Sequence, residues 1–418
     1  MLKAGALIYT IGICLVIGIL SSALILYSYY SRLEFLEYQL IEKVSLNANS
    51  GISLLLSNPG FAAIGETKTI DLFGEGGDSV KLERKTWGIF EVAVSEAFRK
   101  SIRSKKSALI GYRSDTSSAL YLADRDKPLS LCGKVIIRGN CALPKAGVKR
   151  AYIEGQNFVG DKMIDGTVTS SEKNVPEMNK ELIAQVQKIT NDTYPDKDTV
   201  CLIDEKGIPD TLIRGFDKKT LFLVSNTAIR ITNQHISGNV IIVSGKSITV
   251  GGDARLQDII LIARGILVQE KFTGAVQAFG TDSVVLEAGV SLTYPSVIGL
   301  IKETSSVQNP AIKIGENASV SGVLFAYQST YDNRNQVKIN IAKDAVIEGL
   351  VYSNGLVDLK GSIYGSLYAS GLILSTPSSV YENHLLNATI DVTKLSPHFL
   401  GLNLVSKTDK SGIVKWLY

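Results

Sequence analysis

Four short apolar runs decide the fold: Asn-Val-Ile-Ile-Val (239–243), Ser-Ile-Thr-Val (247–250), Ile-Ile-Leu-Ile-Ala (259–263) and Gly-Ile-Leu-Val (265–268). Each run has the length and the β-branched composition of a strand, and each is bounded by Gly, Ser or Asp. Similar runs continue from Thr220 to Ser375. Strands this short cannot bury a face alone, so their repetition predicts stacked layers around one continuous core.

Many of these apolar runs follow a glycine. The spacing between such landmarks is near multiples of roughly 16 to 27 residues, which is typical of one coil of a solenoid. The sequence therefore predicts a mainly β protein whose residues 220–376 form a parallel β-solenoid. The glycines concerned are Gly238, Gly274, Gly322, Gly349 and Gly365.

Composition excludes several classes of function. A net charge of +4 over 418 residues argues against a nucleic-acid-binding surface. Three scattered histidines do not supply an acid–base or metal cluster, and no cofactor motif is present. We therefore expect a protein that is not an enzyme and that carries no cofactor and no metal.

The N-terminal segment Ala4–Tyr30 contains no charged residue. A helix of this length spans a bilayer, at about 1.5 Å per residue across about 30 Å of hydrocarbon. Lys3 and the free amine precede the segment, whereas Arg32, Glu34 and Glu37 follow it. The positive-inside rule then predicts that the N-terminus lies in the cytoplasm and the bulk of the chain in the periplasm or outside the cell. A cleaved signal peptide is the alternative, with Ser21-Ser22-Ala23 as its nearest cleavage site.

The helical pattern continues beyond the predicted span, because apolar residues recur at three- and four-residue steps from Arg32 to Leu56. A short basic leader followed by such a helix resembles type IV pilins and pseudopilins. The resemblance implies processing between Gly5 and Ala6 and a place in an envelope filament or secretion machine. It departs from the family at the fifth mature position, where Thr10 replaces the usual Glu. A plain signal anchor is the alternative.

The remaining chain is expected to form four parts after the anchor and amphipathic helix of residues 1–57. Residues 58–125 are predicted as a small α+β domain, with a helix over Trp87–Ile102. Residues 126–219 are predicted as early solenoid coils with an inserted helix over Pro176–Ile189. Residues 220–376 are the main solenoid, and residues 377–418 are its predicted C-terminal cap.

Two cysteines bracket a short strand-like run. Cys132 and Cys141 would close a loop of about ten residues in an oxidising compartment, and such a disulfide would contribute roughly 2–3 kcal/mol. Two unpaired thiols are the alternative. Cys201 lies in an apolar run and is expected in the core.

The solenoid segment also carries charged and aromatic side chains that suit a glycan. Polysaccharide-cleaving β-helices use clustered carboxylates, and Asp253, Asp258 and Asp282 are the weak candidates here. Tyrosines exposed in a row would favour glycan binding; the candidates are Tyr327, Tyr331, Tyr352, Tyr364 and Tyr368. In style, residues 220–376 are similar to bactofilins, which are polymer-forming bacterial β-helices.

Three functions fit these patterns. The first is a non-catalytic, membrane-anchored scaffold or adhesion component of the cell envelope, held in the membrane through residues 4–30 and bound to protein partners or to copies of itself. The second is a minor pilin-like subunit, and the third is a protein that binds or cleaves a polysaccharide. Nucleic acid is not an expected partner.

Overall fold

The structure is a computed structural model that describes residues 4–74, 76–113, 118–190, 199–203, 207–302, 308–405 and 410–417. The described chain is mainly β, with one long apolar helix at its N-terminal end. It divides into two compact units, one made of residues 1–84 and 93–106 and the other of residues 85–92 and 107–418.

Helix α1 spans Ala4–Ser57, helix α2 spans Lys180–Thr190, and a 3-10 turn covers Val392–Lys394. The strands of the first half are β1 Thr67–Ile70, β2 Ser79–Trp87, β3 Phe90–Arg99, β4 Ile102–Tyr112, β5 Ser118–Leu122, β6 Leu129–Cys132, β7 Ile136–Arg138, β8 Asn140–Leu143, β9 Val148–Arg150, β10 Tyr152–Ile153, β11 Gln156–Asn157, β12 Val168–Ser170, β13 Thr199–Leu202 and β14 Thr211–Arg214. Those of the second half are β15 Leu221–Ser225, β16 Ile229–Ile231, β17 His235–Gly238, β18 Val240–Val250, β19 Arg255–Val268, β20 Thr273–Leu286, β21 Ser291–Lys302, β22 Ala311–Ile314, β23 Ser319–Gln328, β24 Lys338–Ile341, β25 Val346–Leu359, β26 Ser362–Ser375, β27 Val380–Glu382, β28 His384–Leu386, β29 Thr389–Asp391 and β30 Ser411–Leu417.

Helix α1 is continuous over 54 residues, as the sequence predicts, and ends before Asn58-Pro59. Its C-terminal part buries one face, formed by Val44, Ala48, Ile52 and Leu55 at helical spacing. The helix lies so close to its sheet that a Cβ on Gly51 would collide with the side chain of Ser95. Packing against the sheet therefore fixes this end of α1.

The helix predicted over Trp87–Ile102 is wrong. Strand β2 ends at Trp87 and β3 begins at Phe90, and the two residues between them form a turn in which Gly88 has a φ of +60°. Glycine adopts this conformation without steric cost, so a tight hairpin replaces a helix. The apolar residues of this segment fit both periodicities, and the turn at Gly88 is what separates the alternatives.

The strands β1, β2, β3, β4 and β30 form one sheet in that order. Strands β1 and β2 pair antiparallel, with Ile70 opposite Val80. Strand β30 pairs antiparallel with the second half of β4. The C-terminal segment from Ser411 to Leu417 is thus a sheet strand.

Most of the other strands form one closed, predominantly parallel hydrogen-bonded sheet, named the parallel ladder here. From β15 to β26, each long strand pairs in parallel with a strand further along the chain. The step between paired residues ranges from 15 (Leu356 to Gly371) to 28 (Ser283 to Ala311). The inward side chains, such as Ile242, Leu261 and Leu324, share one apolar core.

The order of strands in the ladder differs from the predicted early coils of residues 126–219. Strand β5 pairs with β26, β8 pairs with β5, and β12 pairs with β8, so residues 118–170 follow β26 in the ladder. Strands β13 and β14 instead pair with β15 and β17 at the opposite end. Helix α2 lies in the connection between these two groups, as predicted, with Ile183 and Val186 buried.

The segment predicted as a C-terminal cap, residues 377–418, contributes strands to the parallel ladder, to a small sheet with β6 and β9, and to the sheet of β1–β4. Strands β28 and β29 pair in parallel with β6 and β7, and β30 pairs with β4. An exposed strand end needs hydrogen-bonding partners. The partners of β26 come from both parts of the chain, because β5 pairs with its middle while β27 and β29 pair with its two ends.

Candidate functional site

Two surfaces of the described chain are candidates for function: the exposed part of helix α1 and a cleft on the second unit. The exposed part of α1 runs from Gly5 to Gln39 without a buried or half-buried residue. It includes large apolar side chains such as Ile8 (71% exposed) and Leu24 (68%). Within the described residues, α1 is the one helix long and apolar enough to cross a membrane.

Gly5 and Ala6, the predicted processing site, lie in the first turns of α1. The hydroxyl of Thr10 donates to the carbonyl oxygens of Ala6 (2.8 Å) and Leu7 (2.9 Å). A hydroxyl bonded within its own helix carries no charge. Thr10 therefore supplies no negative charge at this position of the helix.

Asp253, Asp258 and Asp282 lie at three different bends of the ladder. Asp253 is exposed in the turn before β19, and Asp258 lies in β19 between the paired residues Gln257 and Ile259. Asp282 lies at the bend opposite Arg264, which donates to it through Nε at 3.0 Å. Asp258 accepts from Lys415 Nζ at 2.6 Å. Two of the three carboxylates thus have structural cationic partners, and the three do not form a column.

Cys132 and Cys141 are free, buried thiols in strands β6 and β8. Burial raises the pKa of both thiols, that of Cys141 to about 11. Cys132 packs with Ile153 and Leu374, whereas Cys141 belongs to the main core. Both thiols are protonated near neutral pH, which makes them poor nucleophiles. Cys201 is half-buried against the same main core.

His384 packs against the ring of Tyr381 at 5.6 Å between ring centroids. Its Nδ1 lies 2.6 Å from the carbonyl oxygen of Glu382. This arrangement gives the imidazole a structural contact in β28. Among the described residues, no group of three or more His, Cys, Asp or Glu side chains is placed to hold a metal ion.

Tyrosines form a column across the C-terminal half of the ladder. Phe325, Tyr352, Tyr368 and Tyr121 occupy successive paired positions. The rings of Tyr121 and Tyr368 stack with centroids 6.0 Å apart. Stacked aromatic residues at equivalent positions stabilise neighbouring strands.

Two of these tyrosines hold the chain segment that leads to α2. The hydroxyl of Tyr352 donates to the carbonyl oxygen of Pro176 at 3.0 Å, and that of Tyr121 donates to Asn174 at 3.2 Å. Burial raises the pKa of Tyr352, so its hydroxyl stays protonated. Tyr352 and Tyr121 are therefore structural. Tyr364 has a separate role, with Lys394 Nζ 4.2 Å from its ring centroid.

Next to this segment lies a cleft of about 670 Å³, named the tyrosine cleft here. Its lining combines three rings with basic and amide side chains: Arg125, Lys173, Glu177, Lys180, Tyr327, Gln328, Tyr331, Tyr352 and Asn354, among others. Tyr331 is 56% exposed. Three of the five predicted tyrosines thus meet at one cleft.

Arg125 is fixed at the edge of the cleft. Its Nε donates to the carbonyl oxygen of Ser370 at 3.0 Å, its Nη2 to the Ser370 hydroxyl at 2.9 Å, and its Nη1 to the Tyr331 hydroxyl at 2.8 Å. The guanidinium also lies 5.3 Å from the centroid of the Tyr331 ring. Sequence analysis did not single out Arg125, Lys173 or Gln328. They are far apart in the chain and belong to no local motif, so only the fold brings them together.

No protein-family model matches the sequence, and no curated protein matches it. Among solved structures, it is similar to the competence-associated pilin ComZ from Thermus thermophilus. The two chains are 9% identical, with a TM-score of 0.28, and the match covers 85% of this chain and 86% of that chain. A TM-score of 0.28 is too low to indicate a shared fold.

Proposed function

We propose that this chain is a membrane-anchored, non-catalytic subunit of a cell-envelope assembly. One observation carries the proposal. Helix α1 is uninterrupted over 54 residues, its N-terminal part is apolar and exposed, and its C-terminal part is packed on the protein's own sheet.

The exposed part of α1 fits a bilayer. Its uncharged segment of residues 4–30 measures about 40 Å at 1.5 Å per residue, which exceeds a hydrocarbon core of about 30 Å. Tyr27, Tyr29 and Tyr30 end this segment, and tyrosine is enriched where a membrane meets water. With the N-terminus in the cytoplasm, these rings would lie at the outer face and the parallel ladder outside the membrane.

A pilin-like subunit explains the next turns of α1 better than a plain anchor does. Leu33, Leu36 and Ile41 continue the apolar face beyond the uncharged segment, yet they are 43%, 50% and 49% exposed. In water such a stripe is covered by another helix. We propose that α1 packs there against neighbouring subunits and that the chain is processed between Gly5 and Ala6. Thr10 in place of glutamate fits a minor subunit.

The parallel ladder would be the displayed part of the subunit. We infer that it is a β-solenoid, because successive strands pair in parallel in the same register and the bends recur at matching glycines. Its role would be that of a scaffold or adhesive surface. The separation of Asp253, Asp258 and Asp282 favours this role over glycan cleavage, which needs two carboxylates at one bond.

Membrane attachment and helix packing are tested separately. The full chain should stay in the membrane after alkaline carbonate extraction, and a variant without residues 4–30 should be soluble. Release of the full chain by carbonate would contradict the anchor.

For packing, a cysteine replaces Leu36 in a Cys14→Ser background. In native membranes, oxidation should cross-link this variant to another subunit. A matched cysteine at Asn49, which is exposed outside the apolar face, should cross-link much less. Equal cross-linking at both positions would contradict the proposed helix contact and leave a plain anchor.

A further inference from the structure

We propose that the tyrosine cleft binds an acidic oligosaccharide, with Arg125 and Lys173 holding a carboxylate and Tyr331 packing against a sugar ring. This site is independent of how helix α1 is used. All of its residues belong to the second unit.

The guanidinium of Arg125 has donors left for a ligand. Three of its N–H groups bond to Ser370 and Tyr331, and arginine carries five. In the described part of the chain, two N–H groups therefore have no protein acceptor. They belong to a planar group that is already held in place, which suits the two oxygens of a carboxylate.

The charge of the cleft favours an anion. Arg125, Lys173 and Lys180 face a single carboxylate, that of Glu177, which pairs with Lys180 at 3.2 Å. Lys173 is exposed on the segment held by Tyr121 and Tyr352. Two positive charges remain after this pairing.

Gln328 gives a second, independent indication of a ligand. Its Oε1 accepts from the backbone N–H of Val337 at 3.0 Å, which fixes the orientation of the amide. Its Nε2 has no hydrogen-bond partner within the described residues, although the side chain is only 3% exposed. A buried donor without an acceptor is unfavourable, because it has lost its hydrogen bond to water. A sugar hydroxyl in the cleft would accept from this group.

The aromatic side chains select a sugar over a free anion. Tyr331 is 56% exposed, and its hydroxyl accepts a hydrogen bond from Arg125. An exposed, fixed ring beside amide and guanidinium donors matches the alternating apolar faces and hydroxyl edges of a sugar. A small anion such as phosphate would leave the ring and Gln328 unused.

The experiment measures binding of the full chain in phosphatidylcholine nanodiscs to oligogalacturonate, oligoguluronate and hyaluronan fragments, with maltooligosaccharides of equal length as the neutral comparison. At least one acidic series should bind about tenfold more tightly than the neutral series, a difference of about 1.4 kcal/mol. Arg125→Gln and Tyr331→Ala should each weaken that binding about tenfold or more.

Arg264→Gln is the matched control, because it removes the same charge from an exposed arginine elsewhere in the ladder. It should leave binding unchanged within twofold. Tyr331→Ala keeps the test valid if Arg125→Gln does not fold. The proposal is overturned if none of the three acidic series binds, if neutral sugars bind equally well, or if Arg264→Gln weakens binding as much as Arg125→Gln.

Discussion

Asp78 shows how a single carboxylate fixes helix α1 within the first unit. It is 4% exposed and lies 3.2 Å from Lys43 on α1 and 3.1 Å from Arg99 on β3. Asn47 of the same helix donates to it at 3.3 Å. A buried carboxylate needs such partners, because an isolated buried charge is strongly unfavourable. The cations are about one-third exposed, so solvent screens part of the attraction.

Replacement of Asp78 by alanine should loosen the C-terminal part of α1. Hydrogen bonds to charged groups contribute about 1.5–3 kcal/mol, so amide exchange over residues 44–57 should accelerate at least about tenfold. Hydrogen exchange followed by mass spectrometry measures this change. Asp165→Ala is the control, since Asp165 is 65% exposed and should leave exchange unchanged. Equal exchange in both variants would show that Asp78 does not fix the helix.

The buried hydroxyl of Tyr294 makes the stability of the protein depend on pH in the alkaline range. Burial raises the pKa of its hydroxyl to about 12, against 10 in an unfolded chain, while the hydroxyl donates to the carbonyl oxygen of Leu400 at 2.8 Å. Below pH 10 both states keep the proton. As the pH rises from 10 to about 12, the unfolded chain loses the proton first, so the free energy of unfolding falls.

Tyr294→Phe should therefore show a smaller loss of stability between pH 10 and pH 12 than the unmodified chain. Thermal unfolding midpoints at a series of pH values measure the slope. Tyr152→Phe, at a tyrosine that is 64% exposed, should retain the slope of the unmodified chain. An unchanged slope in Tyr294→Phe would contradict a protonated, buried hydroxyl.

At the scale of the elements, a column of glycines shapes one bend of the parallel ladder. Gly322, Gly349 and Gly365 are paired in register, with φ angles of +146°, +139° and +149°. A Cβ on Gly349 would collide with the carbonyl oxygen of Gly322 in the neighbouring strand. Both the φ angle and the close approach exclude a side chain here.

Gly349→Ala should destabilise the ladder by roughly 2–6 kcal/mol, because strain in φ and overpacking each contribute about 1–3 kcal/mol. The thermal unfolding midpoint should fall clearly. Gly265→Ala is the matched control: the nearest atom to its new Cβ would be the Ser283 hydroxyl at 3.3 Å, which can move. A midpoint as high for Gly349→Ala as for Gly265→Ala would contradict the geometric requirement.

The repeating strands and the long N-terminal helix were predictable from the sequence. The glycines at 322, 349 and 365 mark the repeat because the backbone requires them, and the uncharged segment of α1 follows from its composition alone. The segment after Trp87 was not predictable in the same way. Its apolar residues satisfy both a helical and a strand pattern, and the hairpin depends on the turn at Gly88 and on packing of the two strands.

The Gly88 turn also has a partner that no local pattern reveals. The Gln277 amide accepts from the backbone N–H of Ile89 at 3.1 Å and donates to the carbonyl oxygen of Trp87 at 3.0 Å. Trp87 packs edge-on against Phe216 at 5.0 Å. These hydrogen bonds join residues about 190 positions apart. They depend on the tertiary structure and cannot be predicted from a local hydrophobic pattern.

For the whole molecule, the order of the strands in the ladder could not be predicted from the sequence. Residues 118–170 carry short apolar runs like those of residues 220–376, and one such run can stack on either end of a parallel ladder. The pairing of β26 with β5 settles the end used. The tyrosine cleft depends on this order, because Arg125 directly follows β5 and thereby reaches Ser370 and Tyr331.

We propose that helix α1 places this chain, as a pilin-like subunit, in a membrane assembly. The intact mass and the N-terminal residue of the chain extracted from native membranes test it most directly. We expect a chain that begins at Ala6, after removal of residues 1–5. A chain that still begins at Met1 would contradict the pilin-like assembly and leave a static anchor, and a chain that begins beyond Ser21 would contradict membrane anchoring altogether.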